Sequence, residues 1–343
     1  MGTPPLLEPL LHGAPMVRRR AMAKAITLLE STRADHRAQG DALLTALLPH
    51  TGRALRLGIS GVPGVGKSTF IESLGLYLIR EQGLKVAVLA IDPSSTVSGG
   101  SILGDKTRME QLASQEHAYI RPSPSSGTLG GVAEKTRESL LVCEAAGYDV
   151  VIVETVGVGQ SETAAHGMTD MFCVLQLPNA GDDLQAIKKG VMELADLVVV
   201  NKADIDPRAA IRTRTQITSS LRIMAMQGNP RHAQNDPQRW HPRVLTISAL
   251  KGEGVQDFWA AVSEYRRLQS ANGELAARRE RQALAWMWER IDAGLRSAFR
   301  QHPAVQQLLP QVQADVVAGH IAASTAARNL LAAQAGQAPQ AIN

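Results

Sequence analysis

Cysteine and aromatic residues are scarce in this sequence. It has 343 residues, of which two are cysteine, and aromatic residues make up 3%. Two cysteines are too few for a fold that is held together by disulfide bonds. Cys143 and Cys173 lie in apolar surroundings without a C-x-x-C partner, which predicts buried thiols in a reducing compartment. So few aromatics beside 44% hydrophobic residues favour a helix-rich globular protein over a β-sandwich or a disordered chain.

Long apolar runs are also missing. No stretch reaches the roughly 18 apolar residues that a transmembrane helix needs, so we expect no membrane partner. Residues 1–15 contain prolines and lack the charged-then-apolar order of a secretory signal. The expected location is therefore cytoplasmic.

The excess of positive charge is small. Lys and Arg number 36 against 32 Asp and Glu, giving a formal charge of +4 and a pI of about 9.2. The basic residues are dispersed through helical segments and accompanied by acidic ones, a pattern typical of solvated helix faces. We therefore expect no nucleic-acid partner.

Short apolar runs alternate with helical segments through the middle of the chain. Continuous Val, Ile and Leu runs between helices indicate strands buried on both faces, hence an α/β fold with a mainly parallel central sheet. The predicted strands are 54–60, 84–92, 149–154, 171–177, 197–201 and 244–248. Ligands bind beyond the carboxyl ends of such strands, so the loops after these runs are the predicted site.

Helical spacing of apolar residues flanks the sheet on both sides. It predicts two helices before the sheet, broken around Gly40, and only helices after Gly254, interrupted at Gly273, Pro303 and Pro310. The apolar positions after Gly254 outnumber what one thin helical layer needs, which indicates packing on the sheet domain, on another subunit or on both. An ordinary helical cap on a monomer is the alternative. The predicted segments are N-terminal helices (1–52), a sheet domain (53–262) and a C-terminal helical arm (263–343).

The first predicted strand leads into a complete G-x-x-x-x-G-K-[ST] phosphate loop. Its glycines let backbone N–H groups point at phosphate oxygens, Lys67 reaches the β and γ phosphates, and Ser68 offers a hydroxyl to Mg²⁺. The helix that follows adds the positive end of its dipole. The predicted phosphate-binding residues are Gly61, Val62, Pro63, Gly64, Val65, Gly66, Lys67, Ser68 and Thr69.

The tetrapeptide Asn201-Lys202-Ala203-Asp204 follows the fifth predicted strand. The Asp204 carboxylate can accept both the N1–H and the N2 amine of guanine, whereas adenine offers neither donor there. In a chain with a phosphate loop, this tetrapeptide favours GTP over ATP. A second base-contacting loop is expected at the end of the sixth strand, from Ser248, Ala249 and Leu250.

Acidic residues in three loops predict a magnesium site beside Ser68. Asp92 and Glu154 end predicted strands, and Asp105 lies in a Gly-rich loop, where a helix cap or turn is an alternative role. Mg²⁺ keeps several waters in its octahedral shell, so not all three need to bind it directly. In the segment after Glu154, Gly157 fits donation to the γ-phosphate, and Gln160 is either a water-positioning residue or a polar loop residue.

Six segments together match one known pattern. They are the phosphate loop and residues 90–95, 104–109, 154–162, 201–204 and 248–250, of which the E-T-V-G-V-G-Q-S-E run at 154–162 is especially specific. Through them the chain resembles the MeaB/MMAA family, also called ArgK. These are G proteins that chaperone adenosylcobalamin-dependent methylmalonyl-CoA mutase.

The resemblance implies a P-loop GTPase that gates adenosylcobalamin loading and release and protects the mutase. It also implies a homodimer formed by the C-terminal helices, and a mobile switch segment at 178–188. The magnesium ligands that it implies are Ser68, Asp92, Asp105 and Glu154. We expect the catalytic residues to be Lys67, Glu154 and Gln160.

Three other functions remain alternatives. One is a GTPase that inserts nickel into a metalloenzyme, although such proteins usually display His-rich or Cys-containing segments and the nine histidines here are scattered. The second is a transport-associated ATPase or arginine kinase, which the N-K-x-D tetrapeptide disfavours. The third is a dimeric scaffold that binds nucleotide without turning it over.

Overall fold

The computed structural model describes residues 3–31, 33–91, 109–121, 129–155, 161–178, 189–226 and 239–336. The chain divides into two compact units, Met1–Arg278 and Arg279–Asn343. The three-segment division expected from the sequence remains a prediction.

Within the described residues, seven strands form one sheet in the order β3-β2-β4-β1-β5-β6-β7. Every neighbouring pair is parallel. The strands are β1 Leu55–Gly61, β2 Val86–Ile91, β3 Ala118–Arg121, β4 Val150–Thr155, β5 Met171–Gln176, β6 Leu197–Val200 and β7 Arg243–Thr246. The α/β fold with a parallel sheet is therefore confirmed, and six strands lie within two residues of their predicted bounds.

Strand β3 is the one that the sequence prediction missed. It has four residues and pairs only with β2, at the edge of the sheet. An edge strand needs no long apolar run, because only one of its sides joins the sheet. Four residues that end in Arg121 therefore give too weak a pattern to separate from a loop.

Helices cover both faces of the sheet in the first unit. On one face, Met22 and Ile26 of the N-terminal region share a buried cluster with Val151. On the other face, Phe70 and Phe258 share a second cluster, with their rings edge to face at 4.9 Å. The described helices are α1 Leu7–His12, α2 Pro15–Glu30, α3 Ala34–Leu47, α4 Lys67–Arg80, α5 Glu110–Ala113, α6 Leu129–Ala145, α7 Ser161–His166, α8 Lys189–Leu194, α9 Pro207–Met226, α10 Val255–Ala271, α11 Glu274–Gln301, α12 Pro303–Val317 and α13 Ala323–Gln334.

Two predicted helix breaks are wrong. Gly40 lies inside α3, and a Cβ there would approach Leu29 Cδ2 to 3.1 Å, so this glycine permits close helix packing instead of ending a helix. Pro310 lies inside α12. Its position is exposed, so water can bond the carbonyl that loses its intrahelical donor. The breaks at Gly273 and Pro303 are confirmed.

Both cysteines are buried and unpaired, as predicted. Burial raises the pKa of the Cys143 and Cys173 thiols, which keeps them protonated at neutral pH. None of the helices in the described residues combines the length and the apolar character that crossing a membrane requires.

The order of the strands brings the predicted site loops together. Strand β1 lies between β4 and β5, and β6 follows β5. All of these strands point the same way, so the loops after them emerge at one edge of the sheet.

Candidate functional site

The phosphate loop joins the end of β1 to the first residue of α4. Gly61 has φ 151°, and a Cβ on it would lie 2.6 Å from the Leu175 carbonyl oxygen. Gly66 has φ 93°, and a Cβ on it would lie 2.7 Å from Asn201 Nδ2. Both the backbone conformation and the close approach of Leu175 and Asn201 therefore require glycine at these two positions.

Lys67 is the first residue of α4 and is buried. Its Nζ donates to the Gly61 carbonyl at 2.7 Å and to the Val62 carbonyl at 3.3 Å. These bonds hold the ammonium group against the loop where the glycines turn the backbone. Pro63, Gly64 and Thr69 are exposed around it, whereas Val65 anchors the loop in the apolar core.

Ser68 and Glu154 meet at the end of β4. The Ser68 hydroxyl donates to Glu154 Oε1 at 3.3 Å, and Glu154 is 4% exposed. A hydroxyl and a carboxylate are the oxygen ligands that Mg²⁺ prefers, so this half of the predicted magnesium site fits the ion chemically. The other two predicted ligands, Asp92 and Asp105, lie outside the described residues.

Asn201 ties the phosphate loop to the loop after β7. Its side chain is buried; Nδ2 donates to the Val65 carbonyl at 2.9 Å, and Oδ1 accepts the Ala249 N–H at 3.0 Å. The sequence indicated Asn201 only as the first residue of the N-K-x-D tetrapeptide and did not predict these two bonds. Its structural role depends on partners 136 and 48 positions away. One amide side chain thus fixes the spacing between the two predicted halves of the nucleotide site.

Asp204 and Ser248 lie together on the predicted base side of the site. A hydrogen bond from Ser248 is the main cause that holds the Asp204 pKa below its ordinary value, with Lys251 and Lys202 adding positive charge. The carboxylate is therefore ionised at neutral pH and ready to accept N–H donors. Lys202 has a left-handed backbone (φ 60°), an uncommon conformation for a residue other than glycine.

The loop after β7 is closed on itself. Ser248 and Glu253 exchange backbone hydrogen bonds at 3.0 and 3.1 Å, and the Lys251 N–H bonds Ser248 Oγ at 3.3 Å. This closure keeps Ala249 buried while Leu250 is 81% exposed. Leu250 therefore offers an apolar surface to solvent on the loop whose Ser248 bonds Asp204, rather than filling the core.

A buried hydroxyl pair at the site was missed by sequence reasoning. Thr155 Oγ1 donates to Ser60 Oγ at 2.8 Å, between the ends of β4 and β1. Both residues are almost fully buried. The signal for this pair in the sequence was a polar residue at the end of each of two apolar strands. The pair links β4, which carries Glu154, to β1, which leads into the phosphate loop.

The structure brings together the predicted residues of the phosphate loop, Ser68 with Glu154, and the predicted base-contacting residues Asp204 and Ser248. Gly157 and Gln160 lie outside the described residues, as does the predicted switch segment apart from Pro178. A parallel sheet with a phosphate loop after β1 and an N-K-x-D tetrapeptide after β6 defines the class of P-loop GTPases.

Comparison with known proteins gives the family. Residues 22–304 match the family described as "Methylmalonyl Co-A mutase-associated GTPase MeaB", and the chain belongs to this family. It is 53% identical over 327 residues to a putative GTPase of Caulobacter vibrioides, covering 95% of this chain and 97% of that one. The chain is a GTPase, and the resemblance seen in its motifs is confirmed.

Further relatives support the same assignment. GTPase ArgK of Escherichia coli is 52% identical over 270 residues, 78% of each chain. The mouse protein named methylmalonic aciduria type A homolog, mitochondrial, is 43% identical over 95% of this chain and 79% of its own length. A crystal structure titled LAO/AO transport system kinase superposes with a TM-score of 0.70 at 39% identity, covering 91% of this chain and 92% of the other.

Proposed function

We propose that this GTPase hydrolyses GTP to GDP and phosphate as a chaperone of methylmalonyl-CoA mutase, gating the loading and release of adenosylcobalamin and protecting the mutase. The description of the matched family and the names of its animal relatives support this partner. The single observation that carries the nucleotide chemistry is the Asn201 side chain, bonded to both the phosphate loop and the Ala249 backbone.

Lys67 and the loop amides stabilise the transferred phosphoryl group in this proposal. The Lys67 ammonium lies 2.7 Å from the Gly61 carbonyl oxygen, so it can exchange this neutral acceptor for phosphate oxygens without leaving the loop. Phosphoryl transfer depends on positioning and on charge stabilisation rather than on covalent chemistry. A cation and N–H groups fixed before GTP arrives supply both.

Ser68 and Glu154 are the described residues that would hold Mg²⁺, together with Asp92 and Asp105 from the sequence. When bound, the ion neutralises charge on the β and γ phosphate oxygens. Glu154 is buried and its Oε1 accepts the Ser68 hydroxyl, so the carboxylate is already oriented towards the helix that begins at the phosphate loop. Gly157 and Gln160 remain the proposed γ-phosphate and water contacts.

Replacing Asp204 by asparagine is expected to change the base preference. The amide loses the charge and one acceptor that guanine requires, so GTP affinity should fall about 10- to 100-fold, the usual cost of an unsatisfied bond to a charged group. The same amide N–H₂ can donate to the O2 carbonyl of xanthine, so XTP affinity should rise. Titration calorimetry with GTP, XTP and ATP measures all three.

Asp206, two residues further on, supplies the control for this substitution. Its carboxylate caps α9 through the Ala209 N–H at 2.8 Å and has no assigned role at the base. Asp206→Asn should retain the GTP preference. Unchanged GTP affinity in Asp204→Asn would refute the assigned role of Asp204.

The mutase role is tested by turnover with and without a purified methylmalonyl-CoA mutase. A chaperone whose switch loops are ordered by its partner should hydrolyse GTP faster in the complex, because the partner's binding energy favours the catalytic arrangement. GTP turnover that does not respond to the mutase, with no complex on gel filtration, would refute the proposed role. ATP turnover in place of GTP turnover would instead support the transport-ATPase alternative.

Nickel insertion remains an alternative role. Among the described residues, no group of three or more His, Cys, Asp or Glu side chains is placed to hold a metal ion. The two buried free thiols fit the reducing cytoplasm, which we keep as the proposed location.

A homodimer is the second part of the proposal. Helix α11 carries large apolar side chains on one face at helical spacing, each between 39% and 64% exposed: Leu284, Met287, Trp288, Ile291 and Leu295. A stripe of this length on a water-facing helix is typical of a protein interface. A second copy of the chain is the occupant that we propose.

Introducing two charges into this stripe, Leu284→Glu with Ile291→Glu, is expected to convert the dimer to a monomer. A carboxylate buried at an apolar interface costs several kcal/mol, enough to dissociate a dimer at micromolar concentration. Light scattering after gel filtration measures the mass. Ala293→Glu with Ser297→Glu, exposed and on the opposite side of α11, is the matched control and should remain dimeric. A wild-type monomer would refute the proposal.

A further inference from the structure

The outer face of α9 carries an unusual excess of positive charge. The helix contains four arginines and no acidic residue. Arg208, Arg212 and Arg222 are exposed and, with Thr215 and Ser219 between them, follow one another at alternating spacings of four and three residues. That spacing places all five on one face, which we call the arginine stripe, about 21 Å long at 1.5 Å per residue.

In the part of the chain that the structure describes, acidic side chains do not neutralise the arginines of the stripe. Among the described residues, no ion pair or side-chain hydrogen bond involves Arg208, Arg212 or Arg222. Other arginines behave differently: Arg243 on β7, for example, pairs with Glu264 at 2.6 Å. Helix faces that are only solvated normally alternate the two signs of charge, and the stripe does not.

Apolar residues lie along the stripe. Ile211 and Ile223 flank it at opposite ends of the helix and are 62% and 57% exposed. Exposed aliphatic side chains next to arginines are typical of protein interfaces, because arginine is enriched there. The guanidinium group also binds a carboxylate through two parallel hydrogen bonds.

The buried side of α9 connects the stripe to the nucleotide site. Ala210, Ile217 and Leu221 pack in the core beside the sheet, so the helix cannot turn independently. Its first turn follows directly from Asp204, through the Asp206 cap. Thr213 Oγ1 donates to the carbonyl of Pro178, the residue at which the predicted switch segment begins.

We propose that the arginine stripe is a docking surface for an acidic protein surface, and that in the proposed function this surface belongs to the mutase. The inference rests on the proposed function and adds to it the place of contact. A partner held on α9 is mechanically linked to the base loop and to the root of the switch segment, so nucleotide state and partner binding can influence each other.

Nucleic acid and membranes fit the stripe less well. Three guanidinium groups spread over about 21 Å are sparse against a duplex, which carries one charge about every 1.7 Å. A membrane-surface helix needs a free apolar face, and the apolar face of α9 is buried against the sheet.

The test compares two triple variants that change the charge equally. One is Arg208→Glu/Arg212→Glu/Arg222→Glu. The control is Arg20→Glu/Arg37→Glu/Arg80→Glu, on three exposed arginines of α2, α3 and α4. Affinity for purified methylmalonyl-CoA mutase is measured with a non-hydrolysable GTP analogue at about 0.05 and 0.5 M NaCl, together with basal GTP turnover, duplex DNA binding and phosphatidylserine vesicle binding.

The stripe variant is expected to bind the mutase at least about tenfold more weakly at low salt and to lose most of the salt dependence. Its basal turnover and all properties of the control variant should stay within about twofold of wild type. Equal affinity in both variants, or a stripe variant that loses only DNA or vesicle binding, would overturn the docking surface. Failure of the wild-type protein to bind the mutase would instead overturn the proposed function, and the inference with it.

Discussion

Replacing Lys67 by alanine is expected to lower GTP turnover about 100- to 1,000-fold, the cost of removing one preorganised group that stabilises transition-state charge. Lys67 is buried at the first position of α4 and held by two carbonyl oxygens of the phosphate loop. No second lysine of the loop can replace it. Single-turnover hydrolysis, with phosphate release as the signal, measures the effect.

The shape of the loop should survive this change. Its curvature is set by the glycines, by the Asn201 bond to the Val65 carbonyl and by the burial of Val65, none of which involves the ammonium group. GDP should therefore still bind, and unfolding by heat should change little. Lys24→Ala, at an exposed position on α2, is the control. A Lys67→Ala protein with full turnover would remove Lys67 from the catalytic assignment.

The sequence revealed the parts of this site that are built from consecutive residues. The phosphate loop and the N-K-x-D tetrapeptide follow strands directly, so local spacing was enough to identify them. Local spacing could not predict the bonds of Asn201 or the Ser60–Thr155 pair, because these depend on which strands become neighbours in the sheet. Sheet order is set by packing over the whole chain, and a single sequence does not display it.

The same limit applies to the fold. Strands buried on both faces appear as continuous apolar runs, and six were predicted on that basis. Strand β3 lies at an edge and left no such run. Pro310 and Gly40 were assigned as helix breaks from local preference, but exposure of the first and close packing at the second permit a continuous helix.

A buried polar cluster lies at the amino ends of β5 and β6, whereas the nucleotide loops follow the carboxyl ends of the strands. Arg278 Nη1 donates to Asp196 Oδ2 at 3.1 Å and to the Tyr265 hydroxyl at 2.9 Å. Tyr265 in turn donates to the Asp170 carbonyl at 2.6 Å, and Asp196 Oδ2 accepts the Phe172 N–H at 2.8 Å. The cluster fastens the start of α11 and the middle of α10 to the strands β5 and β6.

The cluster contains a buried ion pair, so the stability of the fold depends on both of its charged partners. Burial alone would lower the pKa of the Arg278 guanidinium, but the Asp196 carboxylate beside it raises that pKa above its ordinary value. Both side chains are mostly buried, 13% and 20% exposed. Removing one partner therefore leaves a poorly solvated charge, a larger loss than that of a surface ion pair.

Arg278→Met is accordingly expected to lower the free energy of unfolding by about 3–5 kcal/mol, the usual result of breaking a buried pair from one side. Urea unfolding followed by circular dichroism measures it. Arg33→Met is the control, because Arg33 pairs with Asp35 at an exposed site where water screens the pair, so its loss should change the free energy of unfolding little. Adding Asp196→Asn to Arg278→Met should recover part of the loss, since the neutral amide can still accept the Phe172 N–H. Equal, small losses in the two single variants would show that Arg278 is solvated in solution and that the cluster does not hold the first turn of α11 to β5 and β6.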